Sequence, residues 1–338
     1  MLGMRELGHE MSLACQPGAR LGTRARDAGF TVYETLMRSA VDLPAVVRLR
    51  RFMRQGGIEI VNCHSGRDTQ LAGFAAHSLF PRPRVIRTRH LALPITSRFT
   101  YSTLPDHVVA VSNHVKRYLV SAGISANQIS AVMTGIDLNR YDPLRASSDL
   151  RAELGLLPDT LLVGTVAILR GKKGHQQILD AAPSVIERFP QTHFIFVGDG
   201  PQHEKLSASI EARKLETHVH MLGLRSDIPS LLFNFNIFLL PTYQEALGTA
   251  FIEAGASGLP SVGTNVDGVP EVVQDGKTGF LVPPQNSASL IEPVCHLLSD
   301  GELRKRFGTA AVEYVRQHFS IASMVTGMEE VYRNQLNN

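Results

Sequence analysis

The hydrophobic positions of this 338-residue chain fall into short runs rich in Val, Ile, Leu and Phe. Longer stretches separate them, in which apolar residues return every three or four positions. The short runs read as buried strands and the longer stretches as amphipathic helices, so their alternation predicts parallel sheets built from βαβ units. In the amino half, strands are expected near residues 10–15, 31–36, 59–64, 85–89, 107–112 and 130–133. In the carboxyl half they are expected near 161–168, 193–197, 219–222, 237–240, 261–263 and 280–282. Each set is enough for one doubly wound sheet. Between them, Tyr141-Asp142-Pro143 opens a polar stretch that runs to Pro158-Asp159, with a short helix expected at 148–154. The expected organisation is therefore an amino-terminal domain at 1–143, a linker at 144–158, a second domain at 159–310 and a terminal helix at 311–338. Phe307, Ala311, Tyr314 and Val315 stand at core spacing near the start of that helix.

Composition agrees with two globular domains: the chain is too long for one compact doubly wound unit, and 43% of it is hydrophobic. No apolar run approaches the ~18 residues of a membrane span, and the opening lacks the order of a secretory leader, so the expected location is cytoplasmic. Cys15, Cys63 and Cys295 are far apart and lack CxxC spacing, which points to buried thiols rather than a disulfide framework or a zinc site. The net charge of +3 is unevenly spread: residues 1–142 carry 18 Lys and Arg against 10 Asp and Glu, leaving an acidic second half. Arg48, Arg50, Arg51 and Arg54 share one predicted helix, and Arg82, Arg84, Arg87 and Arg89 surround a predicted strand. Two readings stand for these arginines: a solvated face, or attraction to a phosphorylated acceptor or an anionic membrane at its inner face. A nucleic-acid partner is not expected, since the chain has no Trp and no recognition motif.

Candidate chemistry concentrates where a strand ending near Pro241 passes through Thr242-Tyr243-Gln244-Glu245-Ala246-Leu247 to a helix beginning near Gly248. Parallel sheets bind ligands at this edge, and the free N–H groups of Gly248, Thr249 and Ala250 would suit a diphosphate. Glu245 precedes that anion site and Glu253 lies about a turn into the helix, so the two carboxylates flank it and accept hydrogen bonds from sugar hydroxyls. Arg170-Gly171-Lys172-Lys173-Gly174 follows the first strand of the same domain and offers cations to a departing diphosphate, with Arg170 and Lys173 the preferred pair. Gly198 and Gly200 lie in a loop without full GxGxxG spacing, and no GxxxxGK[ST] occurs, which argues against a dinucleotide cofactor and an NTPase. No metal cluster stands out and no cofactor is expected.

The spacing of Glu245 and Glu253, followed by Ala254 to Pro260 and Gly268-Val269-Pro270-Glu271-Val272, resembles the retaining GT-B glycosyltransferases of family 4. Val197-Gly198-Asp199-Gly200-Pro201, Leu222-Gly223, Asp275-Gly276-Lys277-Thr278-Gly279, Val111-Ser112 and Gly135-Ile136-Asp137 follow the family's order, so the resemblance covers nearly the whole chain. It implies an α/β fold of two Rossmann-like domains facing a cleft, and metal-independent transfer from a nucleotide-sugar donor to a glycan or lipid-linked acceptor in cell-envelope synthesis. It further implies that Glu253 holds the nucleotide ribose, that Glu245 contacts the donor sugar, that His90 lies beside that sugar, and that His64 shapes the acceptor side. Two departures stand out. Arg170 and Lys173 are separated by two residues where the family commonly has four, which leaves Lys172 and Lys173 both open, and Asn62 stands where many relatives have His.

Two other readings are kept: a nucleotide-sugar epimerase of the same fold, and a catalytically impaired protein of this family acting as a binding partner. The second is kept because the opening residues resemble the end of the family's first helix running into its second strand. The resemblance thus implies a central first strand and a Gly-rich loop upstream, and a shortened form of a longer protein that is less stable and poorly active.

Overall fold

The run Leu161-Leu-Val-Gly-Thr-Val166 carries apolar residues on both faces, the pattern of a strand covered above and below by helices. It forms the centre of a six-stranded parallel sheet. The computed structural model describes residues 1–91, 93–145 and 149–337. Its strands are β1 Ser12–Cys15, β2 Thr31–Glu34, β3 Ile60–Cys63, β4 Arg84–Arg89, β5 His107–Ala110, β6 Ile129–Ala131, β7 Leu161–Val166, β8 Thr192–Val197, β9 Val219–Met221, β10 Ile237–Leu240, β11 Ser261–Thr264 and β12 Gly279–Val282. Each lies at an expected position, with ends shifted by at most two residues. Of the expected helix at 148–154, Ser148 lies outside the described residues and Leu150–Glu153 is helical.

Contacts divide the chain into Met1–Met133 with Ile321–Asn338, and Thr134–Ser320. The division does not fall at 144–158, because that stretch is anchored within the second unit. Leu150 N–H donates to Asn234 Oδ1 (3.0 Å), Arg151 reaches the carbonyls of Thr160 and Asn234, and Arg225 pairs with Glu153. The terminal helix expected at 311–338 is likewise two helices. Gly301–His318 closes the second unit; Ile136 then takes Phe319 and Ser320 into backbone pairing, and Ile321–Asn337 belongs to the first unit.

In the second unit the strand order is β12-β11-β10-β7-β8-β9, a doubly wound arrangement whose order reverses between β7 and β10. Helices His175–Arg188 and Ala288–Ser299 pack together over one core, which includes Val163, Ile178, Phe194, Phe196, Val262 and Leu297. The carboxyl ends of β7 and β10 therefore open at the switch point, where such sheets hold their ligands.

The first unit corrects the expectation of a single six-stranded sheet. Its strands form two separate parallel ladders, β1-β2 and β3-β4-β5-β6. Within these ladders β1 and β3 each have one paired neighbour, and β3 stays half-buried where β5 is buried throughout. The helix Ile321–Asn337 brings Val331 against Ile86 and Val109, and Tyr332 accepts a hydrogen bond from Asn62 Nδ2 (3.0 Å), whose Oδ1 accepts from Thr88 (2.8 Å). Asn62 is thus committed to the fold. All three cysteines are free and buried, and burial pushes the Cys63 thiol up to about 12.

A two-stranded ladder is marginal on its own, whereas β7 has neighbours on both sides. Native-state hydrogen exchange should show β1 and β2 amides opening well below the global unfolding free energy and β7 and β8 amides opening only with it. Equal protection in both sets would contradict this division of stability.

Candidate active site

Two loops meet at the switch point of the second sheet. After β7 the chain passes through Arg170, a single 3₁₀ turn Gly171–Lys173 and Gly174 into the helix His175–Arg188. After β10 it passes through residues 241–248 into the helix Thr249–Ala256. The loops are tied by backbone and side chain. The Lys172 carbonyl accepts from Tyr243 N–H (2.7 Å) and from Thr242 Oγ1 (3.1 Å), and the Lys173 ammonium forms an ion pair with Glu245 Oε2. The two lysines differ in geometry: Lys172 contributes its carbonyl to the scaffold, and Lys173 brings its charge to the carboxylate. Arg170 is exposed at the start of the turn.

Glu245 is held from its other side as well. Its N–H donates to Asp267 Oδ2 (3.0 Å), and its carbonyl accepts from Gly268 N–H (3.1 Å). Gly248 then caps the helix Thr249–Ala256 at φ +99°, a left-handed conformation that a side chain rarely adopts. Its own Cβ would lie 2.9 Å from the Phe251 ring. The turn aims the first N–H groups of that helix, those of Thr249 and Ala250, out of the ladder, where an α-helix leaves them without an intrahelical acceptor. Gly198 lines the neighbouring loop after β8 at φ +138°, donates its N–H to the Gly223 carbonyl (2.8 Å) and runs so near the post-β7 loop that a Cβ would sit 2.1 Å from the Ala167 carbonyl oxygen.

Glu253, in the same helix, faces Tyr141 and Arg140 from the turn Leu138–Tyr141. Burial raises its pKa, while the Tyr141 hydroxyl and the Arg140 charge pull it back. Tyr141 is itself pushed up by burial and by the Glu253 carboxylate. A desolvated carboxylate with one hydroxyl partner retains acceptor capacity for further hydroxyls. In the first unit, His64 follows β3 and His90 follows β4. Their rings stack, with Nδ1 of His64 3.0 Å from Nε2 of His90. Desolvation holds both below the ordinary histidine value, against the pull of Asp68 on His64 and with that of His64 on His90. In the neutral pair one ring donates to the other across these nitrogens, the direction being set by tautomer.

Residues 2–140 match Glycosyltransferase Family 4 and residues 147–314 match Glycosyl transferases group 1. The N-acetyl-alpha-D-glucosaminyl L-malate synthase of Bacillus anthracis is 28% identical over 68% of this chain and 60% of its own length. This chain belongs to the family 4 glycosyltransferases. Among solved structures, a glycosyltransferase from Rickettsia africae superposes with a TM-score of 0.91 at 21% identity, covering 99% of this chain and 92% of that one. The Anabaena protein HepE in complex with UDP superposes at 0.85 and 21% identity, covering 96% and 92%. These likenesses show the GT-B fold. The chain spans about 60% of the length of the curated relatives it matches first.

Among the family's positions, Lys173, Glu245 and Gly248 come together at one sheet edge, with Thr249 and Glu253 along the adjoining helix. Three partners escaped sequence reasoning: Asp267 beneath Glu245, and Tyr141 and Arg140 opposite Glu253. The last two lie three and four positions beyond Asp137 of Gly135-Ile136-Asp137, a family motif that carried no role in the sequence. Among the described residues no group of His, Cys, Asp and Glu is arranged to hold a metal ion, and no helix is long and apolar enough to cross a membrane.

His175, behind Lys173, is buried with both ring nitrogens unpartnered and is held at about 4, by burial first and the Lys173 charge second. The unfolded chain takes up this proton near pH 6.5, before the folded one does. Stability should therefore be full above that pH and decline as pH falls towards about 4. His175→Leu should flatten part of the decline, the remainder being carried by groups such as His193, which burial and the neighbouring His220 and His218 rings also hold at about 4. Denaturant titrations between pH 7 and pH 4 give the comparison, and an unchanged slope in the variant would contradict it.

Proposed function

We propose that the protein transfers a sugar, with retention of anomeric configuration, from a nucleotide-sugar donor to an acceptor hydroxyl, in the synthesis of an envelope glycan. The observation that carries this reading is the convergence of the Lys173–Glu245 pair with the amino end of the helix Thr249–Ala256 at the switch point of the second sheet. A diphosphate placed there meets helix N–H groups and a cation; a sugar beyond it meets Glu245, and a ribose along the helix meets Glu253. HepE, with the same fold, is a UDP complex, which supports a nucleoside diphosphate as leaving group.

In the reaction the bond between the anomeric carbon and the phosphate oxygen breaks while the acceptor oxygen bonds to that carbon from the same face. A donor phosphate oxygen takes the acceptor's proton. Charge accumulates on the leaving diphosphate, so Lys173, Arg170 and the helix dipole stabilise the transition state more than the ground state. Glu245, already salt-bridged, keeps Lys173 in place for this role. No carboxylate pair at glycosidase separation is required. His90, hydrogen-bonded to His64, is the group proposed for the donor sugar, and the proposed chemistry needs no divalent metal.

Lys173→Ala should lower turnover by about 10² or more, the scale of losing one preorganised charge-stabilising donor, and Lys172→Ala should lower it far less. Glu253→Ala should weaken nucleoside diphosphate binding in calorimetry, whereas Glu245→Ala should leave that affinity nearly intact and reduce turnover. A thermal-shift screen against UDP, GDP and ADP identifies the nucleotide first. Equal loss of nucleotide affinity in both glutamate variants, or abolition of turnover by a chelator, would contradict this assignment.

A further inference from the structure

The carboxyl edge of β3 and β4 in the first unit encloses a cavity of about 330 Å³ that the chemistry above does not use. Three arginines line it, Arg67, Arg87 and Arg89, together with the polar residues Gln70, Thr96 and Ser97. Among its described lining residues there is no Asp or Glu. Asp68, in the adjoining helical turn, is not part of the lining and acts on Cys63 and His64.

Arg87 makes the arrangement unusual. It is 5% exposed, its guanidinium carbon Cζ sits over the Tyr101 ring 3.5 Å from the centroid, and Nη1 donates to the Thr100 carbonyl (2.8 Å) and hydroxyl. Its Nε is buried without a hydrogen-bond partner, and the titratable groups around it are Tyr101, Arg89 and Cys63, with no carboxylate. A buried cation lacking an anionic partner is costly unless an anion is supplied from outside. Nη2 of Arg87 points to Gly66, the first residue of the twelve-residue helix Gly66–His77, 3.7 Å from where a Cβ would stand. Ser65 Oγ caps Asp68 N–H there, and helix geometry leaves the N–H groups of Gly66 and Arg67 without intrahelical acceptors. Arg67 is held at the cavity by a bond to the Met37 carbonyl (3.2 Å), and Arg89 by bonds to the carbonyls of Leu91 (2.9 Å) and Leu93.

We propose that this cavity is an anion subsite that takes a phosphate or diphosphate group of the sugar acceptor. The assignment to the acceptor rests on the transfer reaction proposed above; the anion site itself does not. Three guanidinium groups and a helix amino end exceed what one carboxylate neutralises, and planar guanidinium forks match phosphoryl oxygens. The cavity shares its sheet edge with His64 and His90, so an acceptor fixed here by its phosphate presents its hydroxyl on the side of those rings. The phosphate is borne either by a soluble sugar phosphate or by a lipid diphosphate.

Hydrogen exchange of the full chain with inorganic pyrophosphate tests the site. Slowed exchange is expected at residues 66–70 and 93–101, with an apparent affinity that Arg67→Gln weakens about tenfold at unchanged melting temperature; Arg87→Lys, which keeps the charge on Tyr101, should weaken it less. Protection by glucose 1-phosphate assigns a soluble acceptor, and protection by phosphatidylcholine vesicles carrying a polyprenyl diphosphate, absent with plain vesicles, assigns a lipid-borne one; both support the proposal. Protection confined to residues 248–250, or undiminished binding in both variants, would overturn it. Failure of UDP to bind the same protein would count against the donor reading and leave the pyrophosphate result standing.

Discussion

The Lys173–Glu245 ion pair joins the loops that follow β7 and β10 on either side of the second sheet's reversal point, and the local geometry hangs from that junction. The Tyr243 N–H on the Lys172 carbonyl, the Gly268 N–H on the Glu245 carbonyl and the Glu245 N–H on the Asp267 carboxylate fix the loop after β10 on both flanks. That loop in turn sets where Gly248 turns left-handed and where the next helix begins. The amide groups of Thr249 and Ala250 then face outward at a place decided by tertiary bonds rather than by helix propensity. A part-buried ion pair contributes little net stability against its desolvation cost. In the transfer proposed above, the pair would hold a cation where negative charge develops, with little reorganisation left for the reaction itself.

The two units solve the parallel-sheet problem differently. In the second, six strands run without a break, and every central strand is covered on both faces. In the first, the ladder is interrupted between β1 and β3. The helix Ile321–Asn337 offsets part of the loss, placing Val331 on Ile86 and Val109 and locking Asn62 through Tyr332. The His64 and Arg87 edge therefore stands on a sheet supported by a helix from the far end of the chain, which couples binding at that edge to the packing of that helix.

Strand positions were legible because buried parallel strands leave dense β-branched runs that no helix period imitates, and the start of the helix Thr249–Ala256 was legible because Gly248 sits between such a run and a helix. Glu245, Glu253 and Lys173 could be named for the same reason: each lies at a fixed offset from a strand end. The rest depended on contacts across sequence. Asp267 beneath Glu245 is twenty-two positions away, and Tyr141 opposite Glu253 is more than a hundred. Strand patterns report burial and not pairing, so by themselves they did not show that the first ladder is split. The arginines near β4 looked alike in the sequence, yet Arg82 pairs with Asp106 at the surface while Arg87 is buried against Tyr101. Only the fold separates them.

The central claim is that a donor diphosphate rests on the amino end of the helix Thr249–Ala256, between Lys173 and Glu253. A crystal structure of the protein grown with the nucleoside diphosphate that shifts its melting temperature measures this directly. The account predicts phosphate oxygens within hydrogen-bond distance of the Thr249 or Ala250 N–H and of Lys173, with ribose hydroxyls on Glu253. A nucleotide bound elsewhere, with Glu253 still turned to Tyr141 alone, would contradict it.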